Sequence, residues 1–398
     1  MTKKQVLKII IFISIVLWLT IHITYCLRIN GDVKDRFVGF YAEKKNTIDV
    51  AILGSSPVYP CFETPRIYGE MGITAYPVSS HMQRPVATKY LVEEILKTQD
   101  PELFIFEMRM WTASDEDLVN SEENMGHTRG VTDNMKYSRN RIRTINAMID
   151  KDLEVYDKNT DKMVKEHRYY HYFDIFKYHS NWRSLRAADQ RRAFMYEYPS
   201  KYKGFEFLDK VGPAESKNYG YVTESEKIPP EQEQYLNELL DCLEKHNKKA
   251  LFVVTPYAVK EDEQRKINYL SDFLKARGYD FIDMNKHIDE IGIDEAVDYN
   301  DGGTHTNLVG ADKVTTWFMD YFKKNYIDTG LITLKDRRED KKCASWDKSY
   351  ELWLKDHEAG VQEVERKIAN EEWNVGEAGD NGEDVGDDGG DNAGDEEN

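Results

Sequence analysis

The sequence predicts a three-layer α/β protein, in which a parallel sheet of five strands is covered by helices on both faces. The first observation is a set of five short runs rich in apolar, β-branched and aromatic residues. The second is the helical pattern between these runs, because apolar strands that alternate with helices are typical of a buried parallel sheet. The predicted strands are Asp49–Gly54, Ile73–Val78, Leu103–Met108, Ala250–Thr255 and Tyr279–Met284.

Helical periodicity fills most of the gaps between these strands. One of the helices has an apolar stripe at Ile267, Leu270, Phe273 and Leu274, which is the spacing of a helix face that packs on a core. The predicted helices are Pro85–Lys97, Pro230–His246, Glu261–Arg277, Leu308–Lys324 and, in a C-terminal extension over residues 327–370, Lys348–Ala369.

The N-terminus predicts a membrane anchor. Residues 1–8 contain three lysines, and residues 9–27 are apolar apart from His22. Nineteen helical residues span about 28 Å, close to the hydrocarbon thickness of a bilayer. Because basic residues flank the cytoplasmic end of a membrane helix, we expect a single pass with residues 1–8 in the cytoplasm and the bulk of the chain outside.

A cleaved signal peptide is the alternative for this segment. The apolar run is long for a signal peptide, and Ile23–Cys26 has no pair of small residues at the spacing that signal peptidase requires. The bulky Tyr25 before Cys26 also disfavours a lipoprotein site. Acylation of Cys26 at the membrane edge is supported by its position alone.

The net charge of −18 comes mostly from the C-terminus. Residues 371–398 contain 12 acidic and no basic side chains, which leaves 54 basic against 60 acidic side chains in residues 1–370. Such a segment has too little apolar area to fold, so a disordered tail is expected. The acid excess argues against nucleic-acid binding. Four scattered cysteines exclude a disulfide scaffold, and Cys61 and Cys242 are expected to be ordinary thiols inside the domain.

A long insertion separates the third and fourth predicted strands, over residues 111–227. It is far too long for a crossover loop, and it is rich in basic and aromatic residues, for example at 167–173, 176–182 and 201–205. These aromatics either form a small core of their own or make a lid that supplies stacking and charged groups to a polar substrate such as a glycan. Both alternatives remain open.

Two short motifs carry candidate chemistry. Gly54-Ser55-Ser56 follows the first strand, so its hydroxyls lie at the carboxyl edge of the sheet, where ligands bind in α/β folds. Ser56 is a candidate nucleophile and also a candidate cap of a helix that begins at Pro57, and both roles can hold at once. The second motif brings Asp301 and His305 onto one glycine-rich loop before the last helix, which gives a serine the base and the orienting acid that it needs.

Together these motifs resemble the SGNH (GDSL-type) hydrolase superfamily over roughly residues 48–326. The resemblance implies a flavodoxin-like α/β domain at about 40–326, with the 111–227 insertion within it. It also implies that Ser56 is the nucleophile, His305 the base and Asp301 the acid. One extra residue separates Asp301 from His305, so Asp298 is kept as an alternative acid. Helix capping is the other interpretation of the serines near residue 80.

The glycine and asparagine oxyanion donors of the family are not clearly present. Ser80, Gln83 and Arg109 are candidates to replace them, beside the Ser56 amide. A structural network between Glu107 and Arg109 is the other interpretation for that pair.

The predicted function is a membrane-anchored extracytoplasmic serine esterase or O-acyltransferase that acts on acyl groups of envelope glycans or on a small ester. The architecture resembles transfer proteins that act beside membrane-bound O-acyltransferases, such as the D-alanyl-lipoteichoic-acid transfer protein and polysaccharide-acetylating proteins. The alternative is a catalytically degenerate relative that binds glycan or serves as a scaffold for such an acyltransferase. There is no GxGxxG, Walker or HExxH motif, so neither a cofactor nor a metal is expected.

Overall fold

The computed structural model describes residues 1–29, 31–149, 155–157, 162–164, 168–183, 185 and 193–374. It contains a main sheet and a small antiparallel hairpin. The strands are β1 (Val50–Leu53), β2 (Ala75–Pro77), β3 (Leu103–Glu107), β4 (Val155–Asp157), β5 (Lys162–Val164), β6 (Lys249–Val254) and β7 (Asp280–Asp283). The main sheet is entirely parallel in the order β2-β1-β3-β6-β7, which confirms the predicted five-stranded parallel sheet. With β4 and β5 set aside, this is the order of flavodoxin-like sheets.

Sixteen α-helices are found in the described residues. They are α1 (Lys3–Leu27), α2 (Asp32–Ala42), α3 (Val58–Cys61), α4 (Thr64–Met71), α5 (Pro85–Ile95), α6 (Asp115–Leu118), α7 (Glu122–Thr128), α8 (Gly130–Asn134), α9 (Arg139–Ile149), α10 (Arg168–Tyr172), α11 (Ile175–Tyr178), α12 (Pro230–Lys245), α13 (Glu261–Lys275), α14 (Ile288–Ile291), α15 (Leu308–Phe322) and α16 (Ala344–Ala369).

Alternate side chains of each strand enter two separate cores, as the pleat requires. Ala51 and Leu53 of β1 lie in one core with the apolar faces of α5, α12 and α13. Val50 and Ile52 lie in the other core with α4 and α15. The sheet is therefore the middle of three layers, and the carboxyl ends of its strands open on one common edge.

The insertion is helical in its first part and irregular in its last. The described residues between β3 and β6 contain α6–α11 and the β4–β5 hairpin, and α9 packs on α5. From 199 to 229 the backbone has neither helix nor strand. Of the basic and aromatic stretches named in the sequence, only His167 lies outside the described residues, and so does the basic Arg191-Arg192 pair of the same insertion.

Helix α1 is exposed over its first part and built into the domain at its end. Every residue up to Thr20 is exposed, whereas Tyr25 and Leu27 are buried. Helix α2 then adds Phe37 and Phe40 to the core. The packed part of the chain thus begins before residue 40, where the sequence placed the domain boundary, because α2 is amphipathic and buries its aromatic face.

The C-terminal helix packs across the domain. Trp346 and Trp353 of α16 are buried, and α16 contacts α4 and α15. Residues 371–374, which the sequence assigns to the tail, are attached to the domain: Asn374 donates its backbone N–H to the Val211 carbonyl and its side-chain amide to the Asn300 carbonyl, at 2.6 and 2.9 Å. Residues 375–398 lie outside the described part.

Candidate active site at the carboxyl edge of the sheet

The turn after β1 presents Ser56 at the surface and buries Ser55. Ser56 is half-buried, whereas Ser55 is 1% exposed and its hydroxyl donates to Oε2 of Glu107 at 3.3 Å. The expectation that Ser56 caps a helix starting at Pro57 is wrong. Helix α3 begins at Val58 with Pro57 as its N-cap, so Ser56 lies one residue too early to cap it.

Gly54 allows this turn to lie directly against the end of β3. A Cβ atom at this position would lie 2.5 Å from the Glu107 Cβ, a distance that no side chain tolerates. Gln83 holds the same backbone from the other side. The Gln83 side-chain amide is oriented so that both of its polar atoms have a partner. Its nitrogen donates to the Gly54 carbonyl and its oxygen accepts from the Gly54 N–H, each at 3.2 Å. The backbone that carries Ser56 is therefore fixed by two neighbouring strand ends.

Glu107 is a fully buried carboxyl group beneath this turn. Burial raises its pKa to about 7, against the lowering effects of Arg109 and Ser55. Its Oε1 accepts from the backbone N–H of Arg109 at 2.9 Å. The structural network of Glu107 and Arg109 is thus present, but it runs through the Arg109 backbone and not through its guanidinium group.

The loop before α15 forms an acid–base pair. Asp301 Oδ2 lies 2.6 Å from His305 Nδ1, and Asp301 Oδ1 accepts from the His305 backbone N–H at 2.9 Å. The loop is closed by a bond from the Asn300 N–H to the His305 carbonyl at 2.8 Å. It also needs glycine at Gly303, where φ is +93° and a Cβ would lie 2.7 Å from Ala258. The extra residue between acid and base does not prevent their pairing.

Asp298 is engaged elsewhere. Its buried carboxylate pairs with Lys313 at 2.5 Å and accepts from the Asp294 backbone N–H at 2.6 Å. Asp301 is therefore the carboxylate on His305, and Asp298 fixes the base of the loop to α15.

His305 lies between the ends of β1 and β3. The residue after it, Thr306, donates to the Pro60 carbonyl of α3 at 3.5 Å. The residue before it, Thr304, accepts from Arg109 at 3.4 Å. His305 Nε2 is buried and has no hydrogen-bond partner among the described residues, so its free nitrogen is not bonded to the Ser56 hydroxyl.

The three candidate oxyanion donors have different surroundings. The amide of Gln83 is bound to Gly54, as described above. The Arg109 guanidinium lies 4.1 Å from the centre of the Tyr257 ring, in addition to its bond to Thr304. The Ser80 hydroxyl is buried without a partner among the described residues and lies beside Gly130 of the insertion. Tyr257 was missed in the sequence, although it follows β6 by three residues at the same edge.

The last part of the insertion packs on the Asp301–His305 loop. The Gly212 N–H donates to the Tyr299 carbonyl at 2.8 Å, and the Glu215 N–H donates to the Gly302 carbonyl at 3.2 Å. Residues 212–215 thus hold the loop in place from outside the sheet.

A charged and aromatic cavity of about 550 Å³ lies between the start of α2 and residues 198–207 of the insertion, and neither Ser56 nor His305 lines it. The Arg36 guanidinium lies 3.5 Å from the centre of the Tyr59 ring and also pairs with Asp32 and Glu206. Burial raises the pKa of Glu206 to about 7, with a further rise from Asp32. Other residues that line the cavity are Asp35, Tyr198, Lys201, Tyr202, Phe205 and Phe207.

One group of possible metal ligands is found in the described residues, away from His305. The ligand atoms of Glu63, Asp312 and His357 lie within 4.8 Å of one another. Arg66 already pairs with both carboxylates, at 3.2 Å each, and His357 lies 2.9 Å from Asp312. Burial raises the pKa of Glu63 and favours its neutral form, so the group connects the start of α4 with α15 and α16 through hydrogen bonds and through the ion pairs of Asp312.

Comparison of the chain with protein-family models and with curated proteins gives no match.

Proposed function

We propose that this chain is a membrane-anchored extracytoplasmic serine esterase or O-acyltransferase of the SGNH type. The observation that carries the proposal is the Asp301–His305 pair, in which the carboxylate occupies Nδ1 and leaves Nε2 without a partner at the carboxyl edge of the sheet. A histidine held in this way is the general base that a serine requires. Ser56, half-exposed at the end of the neighbouring β1, is the serine that it would activate.

In the proposed mechanism, Ser56 Oγ attacks the acyl carbonyl while His305 Nε2 takes its proton. Asp301 orients the imidazole and stabilises the imidazolium form. The Ser56 backbone N–H donates to the oxyanion. His305 then protonates the leaving alkoxide, and water or a sugar hydroxyl attacks the acyl-enzyme with His305 again as the base. Closure on substrate must bring Ser56 and His305 into hydrogen-bond distance, as often happens on formation of the Michaelis complex.

The cavity between α2 and residues 198–207 supports a polar substrate such as an acylated envelope glycan, and the contact of its Arg36 with Tyr59 connects it to the turn that carries Ser56. Its lining combines tyrosine rings, which stack on sugars, with Arg36 and carboxylates, which bind hydroxyl and charged groups. The anchor is supported by α1, which is long and apolar enough to cross a bilayer. Its last turns are packed into the domain, which favours a retained helix over a cleaved signal peptide.

Labelling of the full chain in detergent with a fluorophosphonate probe tests the nucleophile. We expect Ser56→Ala and His305→Gln to lose labelling by several orders of magnitude in rate. Ser55→Ala is the matched control and keeps its labelling, because Ser55 is buried against Glu107. Equal labelling of Ser56→Ala and the parent would refute the assignment.

A catalytically degenerate protein that binds glycan or serves as a scaffold for a membrane-bound O-acyltransferase is the second candidate. The observation that favours it is the missing bond between His305 Nε2 and Ser56. Absence of labelling in the parent, with binding of an acylated oligosaccharide, would support this candidate. If labelling occurs, incubation with an acyl donor with and without an oligosaccharide acceptor separates transfer from hydrolysis.

A further inference from the structure

The exposed part of α1 is too short to cross a bilayer without help from the domain. From residue 9, after the last lysine, to Thr20, after which the domain begins to cover the helix, there are 12 residues. They span about 18 Å, whereas the hydrocarbon core is about 30 Å thick. Counting from Gln5, with Lys8 extended toward the headgroups, gives only about 24 Å. If α1 spans the membrane, hydrocarbon must therefore continue along residues 21–27, where the insertion flanks the helix.

A segment of the insertion runs alongside this part of α1. The Phe194 ring lies 4.9 Å from the ring of His22 and 5.5 Å from the ring of Trp18. Trp18 is nine residues before Leu27, which places it about 13 Å below the end of the helix. At the end of the helix, the Asn181 side chain donates to the Leu27 carbonyl at 2.9 Å. The insertion therefore runs alongside about the last 13 Å of α1, and it shields the helix only from Ile21 onward.

The residues around these contacts expose large apolar side chains. Phe173, Phe176, Trp182 and Met195 are 55, 49, 64 and 52% exposed. Several such side chains close together are unusual on a surface that faces water. With Phe194, we call these residues the aromatic collar. Trp182 has the Arg183 guanidinium group over its ring. Tryptophan and basic side chains of this kind are typical of the layer between membrane and water.

The collar is fixed to α1 by buried ion pairs. Asp174, between Phe173 and Phe176, is fully buried and pairs with Arg28 at 2.8 Å and with Arg141 at 2.6 Å. The Arg28 guanidinium also lies 4.7 Å from the centre of the Tyr196 ring. Because the collar and the end of α1 form one packed unit, the depth of α1 in a bilayer also sets the depth of the collar.

We propose that the aromatic collar is immersed in the outer interfacial layer of the bilayer, with lipid as its partner. The proposal rests on the proposed membrane anchoring of α1. The collar adjoins the exposed part of α1, because Phe194 contacts Trp18, which is itself exposed. Lipid around α1 would therefore meet the collar, which is why we assign lipid as the occupant. The insertion is then part of the anchor as well as part of the domain.

Spin labels on the full chain in phosphatidylcholine vesicles test this. One accessible cysteine is introduced in each variant, at Trp182→Cys or Met195→Cys in the collar, at Val16→Cys within α1, or at Tyr221→Cys on a water-exposed part of the insertion. All variants carry Cys26→Ser, and the remaining Cys61, Cys242 and Cys343 are buried. The measurement is the accessibility of each label to oxygen, which partitions into lipid, relative to a water-soluble nickel chelate.

We expect the oxygen-to-nickel ratio at 182 and 195 to be several-fold higher than at 221 and lower than at 16. A ratio at 182 and 195 equal to that at 221, with a high ratio at 16, would overturn the collar while the anchor stands. A low ratio at 16 as well would overturn both. The vesicles contain no other protein. If the collar binds the helices of a partner protein instead of lipid, the ratio at 182 and 195 will equal that at 221, and this result also contradicts the proposal.

Discussion

Replacement of Glu107 by Gln should make the protein less sensitive to alkaline pH. Glu107 is fully buried, and burial raises its pKa from 4.5 to about 7. The folded state therefore holds a proton that the unfolded state has released between these pH values, so stability falls as pH rises through this window. The full effect corresponds to about 3 kcal/mol at 1.36 kcal/mol per pH unit, and most of it lies between pH 5 and 8. Gln keeps the acceptor for the Arg109 N–H but has no charge to bury.

The assay is urea unfolding of the full chain in detergent at pH 5 and pH 8, followed by tryptophan fluorescence. We expect the parent to lose about 2–3 kcal/mol more than Glu107→Gln between the two pH values, since all other groups contribute equally to both. Glu102→Gln, an exposed carboxyl group just before β3, is the control and should behave as the parent. The same pH dependence in parent and Glu107→Gln would show that the Glu107 carboxylate is stabilised as well in the fold as in water.

Three further predictions concern positions whose surroundings are well defined. Gly54→Ala forces a Cβ against Glu107 and should lower the free energy of unfolding by about 1–3 kcal/mol and remove much of the activity. Gly126→Ala is the control and should change neither, because a Cβ there meets nothing within 4 Å. Equal melting temperatures of the two variants would contradict this. Asp174→Asn leaves two buried guanidinium groups without their carboxylate, and thermal unfolding should show a loss of about 3–5 kcal/mol. Asp301→Asn should slow fluorophosphonate labelling by about 10⁴-fold at unchanged stability, as expected when the acid of such a pair is lost. Asp298→Asn should instead destabilise the fold and leave labelling of the folded protein within a few fold; the reverse pattern would make Asp298 the acid.

The main sheet was predictable because its signal is local. Each strand is a short apolar run between helical patterns, and burial on both faces leaves little ambiguity about which residues belong to it. The predicted and observed strand bounds differ by one or two residues at most strand ends. For example, the predicted strand Ile73–Val78 is observed as Ala75–Pro77. The pairing of Asp301 with His305 was predictable for the same reason, since both lie on one short loop.

Contacts between distant segments were not predictable. The amide of Gln83 bound to Gly54 joins residues 29 positions apart, and nothing in either local sequence indicates the other. The role of α2 in the core was missed because it follows an apolar segment that was assigned to the membrane as a whole. The helix cap considered for Ser56 is absent because α3 begins at Val58, one residue later than the sequence suggests, with Pro57 as its N-cap.

The insertion connects the proposed membrane anchor to the candidate active site. Its first part is fixed to the end of α1 through Asp174 and Arg28, and its last part donates from Gly212 and Glu215 to the loop that carries His305. A segment that only covered a site would need neither of these attachments. If α1 spans the membrane, these attachments set the height and orientation of the candidate site above the bilayer. Such a fixed position suits acyl transfer to a surface-bound glycan better than hydrolysis of a freely diffusing ester, because only the former requires a set distance from the membrane.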